Sequence, residues 1–205
     1  MIHLDREDGC WTATIDRPDK ANSLTAEMLS ALADAADAAA NEARVFVITG
    51  KGRVFSAGAD LDEARAGLAT DPVWERLSGT IAALPCLTIC ALNGTLAGGA
   101  FGMALACDLR LAVPGAKFFY PVMKLGFLPQ PSDPPRLANL VGPARAKMIL
   151  MAGQKIEAEE ALSWGLIDRI VAPEALMDAV ADLSQDAAGA DTAHVAAIKG
   201  LVPTV

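Results

Sequence analysis

The sequence predicts an α/β fold built from repeated strand–turn–helix units. Three observations carry this. Two apolar runs of strand length, Val45–Thr49 and Leu87–Leu92, lack the alternation of a half-exposed strand and suit strands covered on both faces. Segments with apolar residues at helical spacing separate the runs. Two clusters of small residues, Ser56-Ala57-Gly58-Ala59 and Ala97-Gly98-Gly99-Ala100, stand where a strand hands over to a helix.

The elements follow in order. Ile2–Leu4 and Cys10–Ile15 flank Asp8-Gly9 and read as a β-hairpin. Arg17 to Asn22 is a loop. Thr25 is placed to cap a helix, with Glu27 in its first turn and Leu24, Met28, Leu32 and Ala36 at helical spacing, so the helix runs to about Glu42. Val45–Thr49 is the next strand. Strand, helix, strand in that order favours a right-handed crossover. Phe55 leads into the first small-residue turn, and Asp62 to Gly67 is polar, a helix or a loop. Val73–Leu84 is a helix that Pro85 ends. Leu87–Leu92 is a buried strand, Asn93-Gly94 breaks it, and a central helix spans about Ala100 to Cys107. Leu109–Val113 and Lys117–Phe119 are short strands around Pro114-Gly115. Pro121 to Pro135 holds five prolines, the composition of a rigid surface loop. Helices follow at Arg136–Leu140, Ala144–Met151 and Ala158–Ser163, then a strand at Leu166–Val171, then helices at Glu174–Ala187 and Thr192–Leu201.

The 205 residues suffice for one domain, 1–205, with a substantial core. A net charge of −8 argues against a nucleic-acid partner. Cys10, Cys86, Cys90 and Cys107 show no paired spacing of the metal-binding kind, and His3 and His194 are far apart, so no metal site is expected. The cysteines fit reduced, mostly buried thiols. The acidic N-terminus lacks the pattern of a secretory signal. The longest mostly apolar stretch, Ile81–Leu92, contains Pro85 and is shorter than the ~18 residues of a membrane span. A soluble, cytoplasmic protein without a membrane partner is the expectation.

The glycine turn after Leu92 carries the chemistry. A helix N-terminus offers unpaired backbone N–H groups and a partial positive charge, and glycine lets a ligand approach without meeting a Cβ. Such a place holds an oxyanion, a phosphate or a polarised carbonyl. The pair of motifs, Phe55-Ser56-Ala57-Gly58-Ala59-Asp60-Leu61 and, downstream, Asn93-Gly94 with Gly98-Gly99 and Met103-Ala104-Leu105-Ala106-Cys107-Asp108, resembles the enoyl-CoA hydratase/isomerase (crotonase) superfamily from about Arg17 to Leu201. The resemblance implies a spiral of ββα units with flanking helices, a coenzyme A thioester as substrate with no separate cofactor, and a homotrimer or a dimer of trimers. It also implies a backbone oxyanion hole for the thioester enolate, with Ala57 and Gly99 as donors. Around the coenzyme A it implies Lys20, Ala21, Leu24, Ala59, Asp60 and Leu61. Such proteins continue for several dozen residues past the segment here spanning Ala196–Lys199, so a shortened C-terminal helical region, about 174–205, and a more open pocket are expected.

The acids depart from that pattern. The resemblance implies one glutamate three residues beyond the oxyanion glycine and a second in the following proline-led loop. The two positions are Gly102 and Val122 here. A further carboxylate position used by some isomerases is Gln130, which exchanges no proton at neutral pH. Asp133 is the nearest carboxylate left to recruit as an acid or base; a solvated loop position, or a helix N-cap before Pro134-Pro135, is the commoner use of such a residue. Asp62 and Glu63 follow the first turn and fit either the acyl pocket or a solvated helix face. Tyr120 fits a packed strand end or an orienting hydroxyl, Asp108 a structural position, and His3 and His194 exposed positions. The implied function is therefore an acyl-CoA-processing lyase or isomerase, with little ordinary hydratase activity expected because both glutamates are missing. The alternatives are a catalytically silent acyl-CoA-binding or regulatory protein, and a decarboxylase of malonyl-type thioesters, whose forward step needs an oxyanion hole but no strong base.

Overall fold

A computed structural model describes residues 1–202. The hairpin of β1 (Ile2–Glu7) and β2 (Cys10–Ile15) turns at Asp8-Gly9, both residues at positive φ. The helix α1 (Ala26–Ala39) starts where Thr25 accepts the Met28 N–H at 3.2 Å, the expected cap. Each following turn of the chain lays one strand in a large sheet and one in a small sheet before a helix closes it. The first turn is β3 (Val45–Gly50), β4 (Val54–Ser56), the short α2 (Leu61–Arg65) and α3 (Val73–Ala83). The second is β5 (Leu87–Leu92), β6 (Thr95–Ala97) and α4 (Phe101–Ala106). The third is β7 (Leu109–Ala112), β8 (Lys117–Phe119), α5 (Val122–Leu125) and α6 (Asp133–Val141). Then come α7 (Pro143–Leu150), β9 (Ile156–Glu157), α8 (Ala158–Trp164), β10 (Arg169–Ile170), α9 (Leu176–Gly189) and α10 (Thr192–Leu201).

The large sheet has the order β1-β2-β3-β5-β7-β10, parallel except for the first hairpin. The small sheet has the order β4-β6-β8-β9, with β9 antiparallel. This is the spiral of ββα units. Its parallel strands need helical cover on their faces, which is why Val45, Phe46, Val47 and Ile48 are all fully buried. Every residue of α4 is buried. That helix runs through the interior, with α3 against one side and α6 against another. Alanine and glycine at its contacts let the three helices approach.

The structure differs from the sequence expectation mainly between Pro121 and Pro135. The segment is not a surface loop throughout. Val122 opens a single helical turn and is buried, and Met123, Leu125 and Leu128 are exposed. The chain then turns inward, and α6 begins at Asp133 rather than Arg136, with Pro134 and Pro135 in its first turn. Proline is compatible there because the first N–H groups of a helix have no carbonyl to meet. The late strand shrinks to Arg169–Ile170, paired to β7 alone. All four cysteines are unpaired, and three of them are buried. Among the described residues no helix is long and apolar enough to cross a membrane.

Candidate active site

The two small-residue turns lie against each other. Gly58 has φ +90°, and a Cβ on it would stand 2.9 Å from the Ala97 carbonyl oxygen and 3.5 Å from the Gly99 nitrogen. Gly98 opposite has φ +59°. A side chain at 58 would both strain the backbone and push the turns apart. Gly98 and Gly99 open a 3₁₀ turn, Gly98–Ala100, that runs directly into α4, so their N–H groups find no carbonyl within the turn. The ring of Trp74 lies over Gly99, with three of its carbons 3.2–3.3 Å from where a Cβ would be, and its Nε1 donates to the Leu68 carbonyl at 2.8 Å.

The donor expected at Ala57 needs correction. Its N–H donates to the Ala21 carbonyl at 3.0 Å, so it is already engaged in holding the first turn to the loop before α1. The next bonds run Leu24 N–H to Gly58 at 2.8 Å and Asp60 N–H to Leu24 at 2.8 Å, a parallel bridge between Leu24 and Ala59. These leave the Ala59 N–H without an acceptor among the described residues. A bridge alternates which N–H groups face the partner strand, and Ala59 is the one facing away.

The residues expected around coenzyme A are brought together by the same bridge. Lys20 is exposed at the end of a 3₁₀ turn, and Ala21 and Asn22 follow at φ +51° and +53°. Buried Asn22 fixes that bend: its side chain accepts the Arg17 N–H and donates to the Lys51 and Val54 carbonyls. Asp60 accepts the Asp62 and Glu63 N–H groups as the cap of α2 and pairs with Arg17 at 2.8 Å. The Arg17 bond holds its carboxyl below the usual carboxylate range. Leu61 is 71% exposed.

Asp133 is neither a solvated loop residue nor the cap of α6; the N-cap is Ser132. Asp133 is fully buried, and its Oδ2 accepts the Tyr120 hydroxyl at 2.8 Å. Its Oδ1 is buried without a partner among the described residues. That oxygen stands 2.9 Å from where a Cβ on Gly102 would be. The carboxyl group thus fills the space a side chain at position 102 would enter. Burial pushes its pKa up to about 7, with the nearby Glu75 adding to the rise while the Tyr120 bond and Arg136 oppose it. Burial and Asp133 together push the Tyr120 hydroxyl upward, so it stays a donor. Its ring stacks on Phe101 of α4, centroids 5.4 Å apart.

Other candidates fall away. Asp62 is exposed and pairs with Arg65, and Glu63 accepts the Ala26 N–H at the start of α1. Gln130 donates to the Ala69 carbonyl, and Val122 is buried. Asp108 binds the Thr88 N–H and hydroxyl and Lys199, tying α10 to the sheet. His3 and His194 are exposed. The sequence reading did not single out Trp74 or Glu75. Both sit inside an amphipathic helix pattern, and only the packing of α3 on α4 gives them a place at the site.

Residues 5–204 match the family model described as enoyl-CoA hydratase/isomerase. The chain belongs to that family. It is 37% identical over 207 residues to a carnitinyl-CoA dehydratase of Salmonella enteritidis, covering 97% of this chain and 78% of the relative. A carnitinyl-CoA dehydratase of Citrobacter koseri is similar, at 37% identity over 209 residues. Among solved structures, an enoyl-CoA hydratase from Mycobacterium marinum superposes with a TM-score of 0.88 at 31% identity, covering 98% of this chain and 97% of that one. A Streptomyces coelicolor protein described as a putative enoyl-CoA hydratase gives a TM-score of 0.90 at 29% identity, over 98% and 77% of the two chains. The hydratase/isomerase family accounts for the crotonase fold and for an acyl-CoA-processing enzyme.

Proposed function

We propose that this family member moves a proton at the α-carbon of an acyl-CoA thioester, with Asp133 as the transferring group and the Ala59 and Gly99 N–H groups as the oxyanion hole. The observation that carries the reading is the Asp133 carboxyl: buried, with one oxygen free among the described residues and 2.9 Å from where a Cβ on Gly102 would be, three residues along from Gly99. A group with a pKa near the working pH both gives and takes a proton readily.

The substrate class supported best is a 3-hydroxyacyl/enoyl thioester, in line with relatives named as a dehydratase and a hydratase. In the dehydrating direction the ionised Asp133 takes the α-proton. The C–H electron pair enters the thioester, and the charge on its oxygen is met by the two N–H groups. Collapse of the enolate forms the double bond and expels the β-hydroxyl, which leaves as water with the proton returned from Asp133. Position 122 adds no second carboxylate, so one group serves both proton transfers. Lys20, Ala21, Leu24 and Asp60 border the coenzyme A end, where the exposed Lys20 suits a phosphate.

The test is loss of enoyl absorbance with crotonyl-CoA and gain with carnitinyl-CoA, alongside α-deuterium exchange in heavy water. Turnover or exchange that falls about 10²–10³-fold in Gly99→Pro supports the oxyanion role. No turnover and no exchange, while the thioesters still bind, overturns the proposal in favour of a silent acyl-CoA binder.

A further inference from the structure

A second carboxylate reaches the end of α6. Glu75 lies on α3, next to Trp74. It accepts the Ser132 backbone N–H at 2.9 Å and also the Ser132 hydroxyl. Ser132 occupies the cap position of α6, but its own side chain caps nothing. The capping charge therefore comes from another helix. An aspartate in the first turn of a helix ordinarily answers the unpaired N–H groups there itself. With Glu75 at Ser132, the Asp133 side chain is turned the other way, to Tyr120 and Gly102.

The charged and titratable groups acting on Asp133 are few. Glu75 on α3 opposes its ionisation, Arg136 on α6 favours it, and Tyr120 at the end of β8 donates to it. The helix α4, packed against α6, is Phe101-Gly102-Met103-Ala104-Leu105-Ala106 and carries no titratable group. No group on α7, the other helix packed on α6, acts on the carboxyl.

We infer that Glu75 is a positioning residue for Asp133: by gripping Ser132 it turns the Asp133 carboxyl toward Gly102 and sets a negative charge near it. The inference rests on Asp133 being the proton-transfer group only for its meaning, not for its test. Glu75→Gln keeps an oxygen for the Ser132 N–H and removes the charge; Glu75→Ala removes both. Carbon NMR of the side-chain carboxyls reads the Asp133 titration in the substrate-free protein, with Asp133→Asn supplying the assignment. In Glu75→Gln the Asp133 midpoint falls by on the order of one pH unit, the scale of a neighbouring like charge. The acidic limb of the kcat profile falls with it, while the thermal melting point moves little. In Glu75→Ala kcat drops as well, with KM for the acyl-CoA near wild type. A midpoint in Glu75→Gln that stays put or rises overturns the inference. A midpoint that falls while Asp133→Asn turns over normally supports Glu75 as the tuner of this carboxyl and overturns the catalytic reading instead.

Discussion

Gly99 and Gly102 are three residues apart on one continuous stretch of helix, and each lacks a side chain for a different reason. At Gly99 the place of the missing Cβ is taken by the indole of Trp74, so the bare backbone packs against an apolar ring. At Gly102 it is taken by the Asp133 carboxyl, so the bare backbone makes room for a polar group delivered from another helix. The first glycine exposes a donor that belongs to the main chain; the second accommodates an acid that belongs to a distant side chain. On the proposed reading one helix would serve both parts of a reaction at an acyl thioester, with the charge met at Gly99 beside Trp74 and the proton held beside Tyr120.

The largest expected effect breaks the second half of this comparison. Asp133→Asn keeps the size of the group and its bond from Tyr120 but exchanges no proton, so kcat falls about 10²–10⁴-fold with acyl-CoA binding retained. The same variant changes the pH dependence of folding. Asp133 has a folded pKa of about 7 against an ordinary value of 3.8, so between those limits the native state binds more protons than the unfolded chain. Its contribution to stability is greatest at the acid end, and is lost as the pH rises toward 7. Chemical denaturation at several pH values shows that decline in the wild type and a flatter profile in Asp133→Asn.

Gly102→Ala comes next. The new Cβ would stand 2.9 Å from a carboxyl oxygen that is buried and held on its other side, so the variant loses about 1–3 kcal/mol of stability, the ordinary cost of overpacking. In an Asp133→Ala background the sign reverses, because alanine is the better helix former by about 1 kcal/mol and the obstacle is gone. Equal costs in both backgrounds, measured by thermal unfolding, would mean that Asp133 is not what fills the space at 102. Gly99→Ala is the mildest. The ring of Trp74 has to yield only a few tenths of an ångström, and roughly 0.5–1 kcal/mol covers the shift. The N–H remains, so activity outlasts that of Gly99→Pro; a loss as great as in the proline variant would show that the ring, not the donor, matters there.

Local patterns in the sequence suffice for the strands, most helices, the Thr25 cap and the two glycine turns, because these features depend on residues close together in the chain. They also suffice for the family, through the motifs around Gly58 and Gly99. The proline-rich stretch was the weak point. Its prolines describe a loop well from Gly126 to Ser132, but nothing local says that Val122 opens a helical turn or that Asp133 turns inward. The open N–H of the first turn lies two residues beyond the expected one for a related reason. Ala57 and Ala59 look alike in sequence, and only the bridge to Leu24, together with the bond from Ala57 to Ala21, decides which N–H is free.

By itself the sequence determined an α/β spiral, two glycine turns at strand–helix junctions, and the absence of carboxylates at positions 102 and 122. The tertiary structure decided which N–H groups stay open, and that an aspartate thirty-one positions beyond Gly102 fills the space beside it. A backbone turn is encoded where it occurs. A buried carboxyl acquires its partners, its burial and hence its proton affinity only when α3, α4 and α6 pack together.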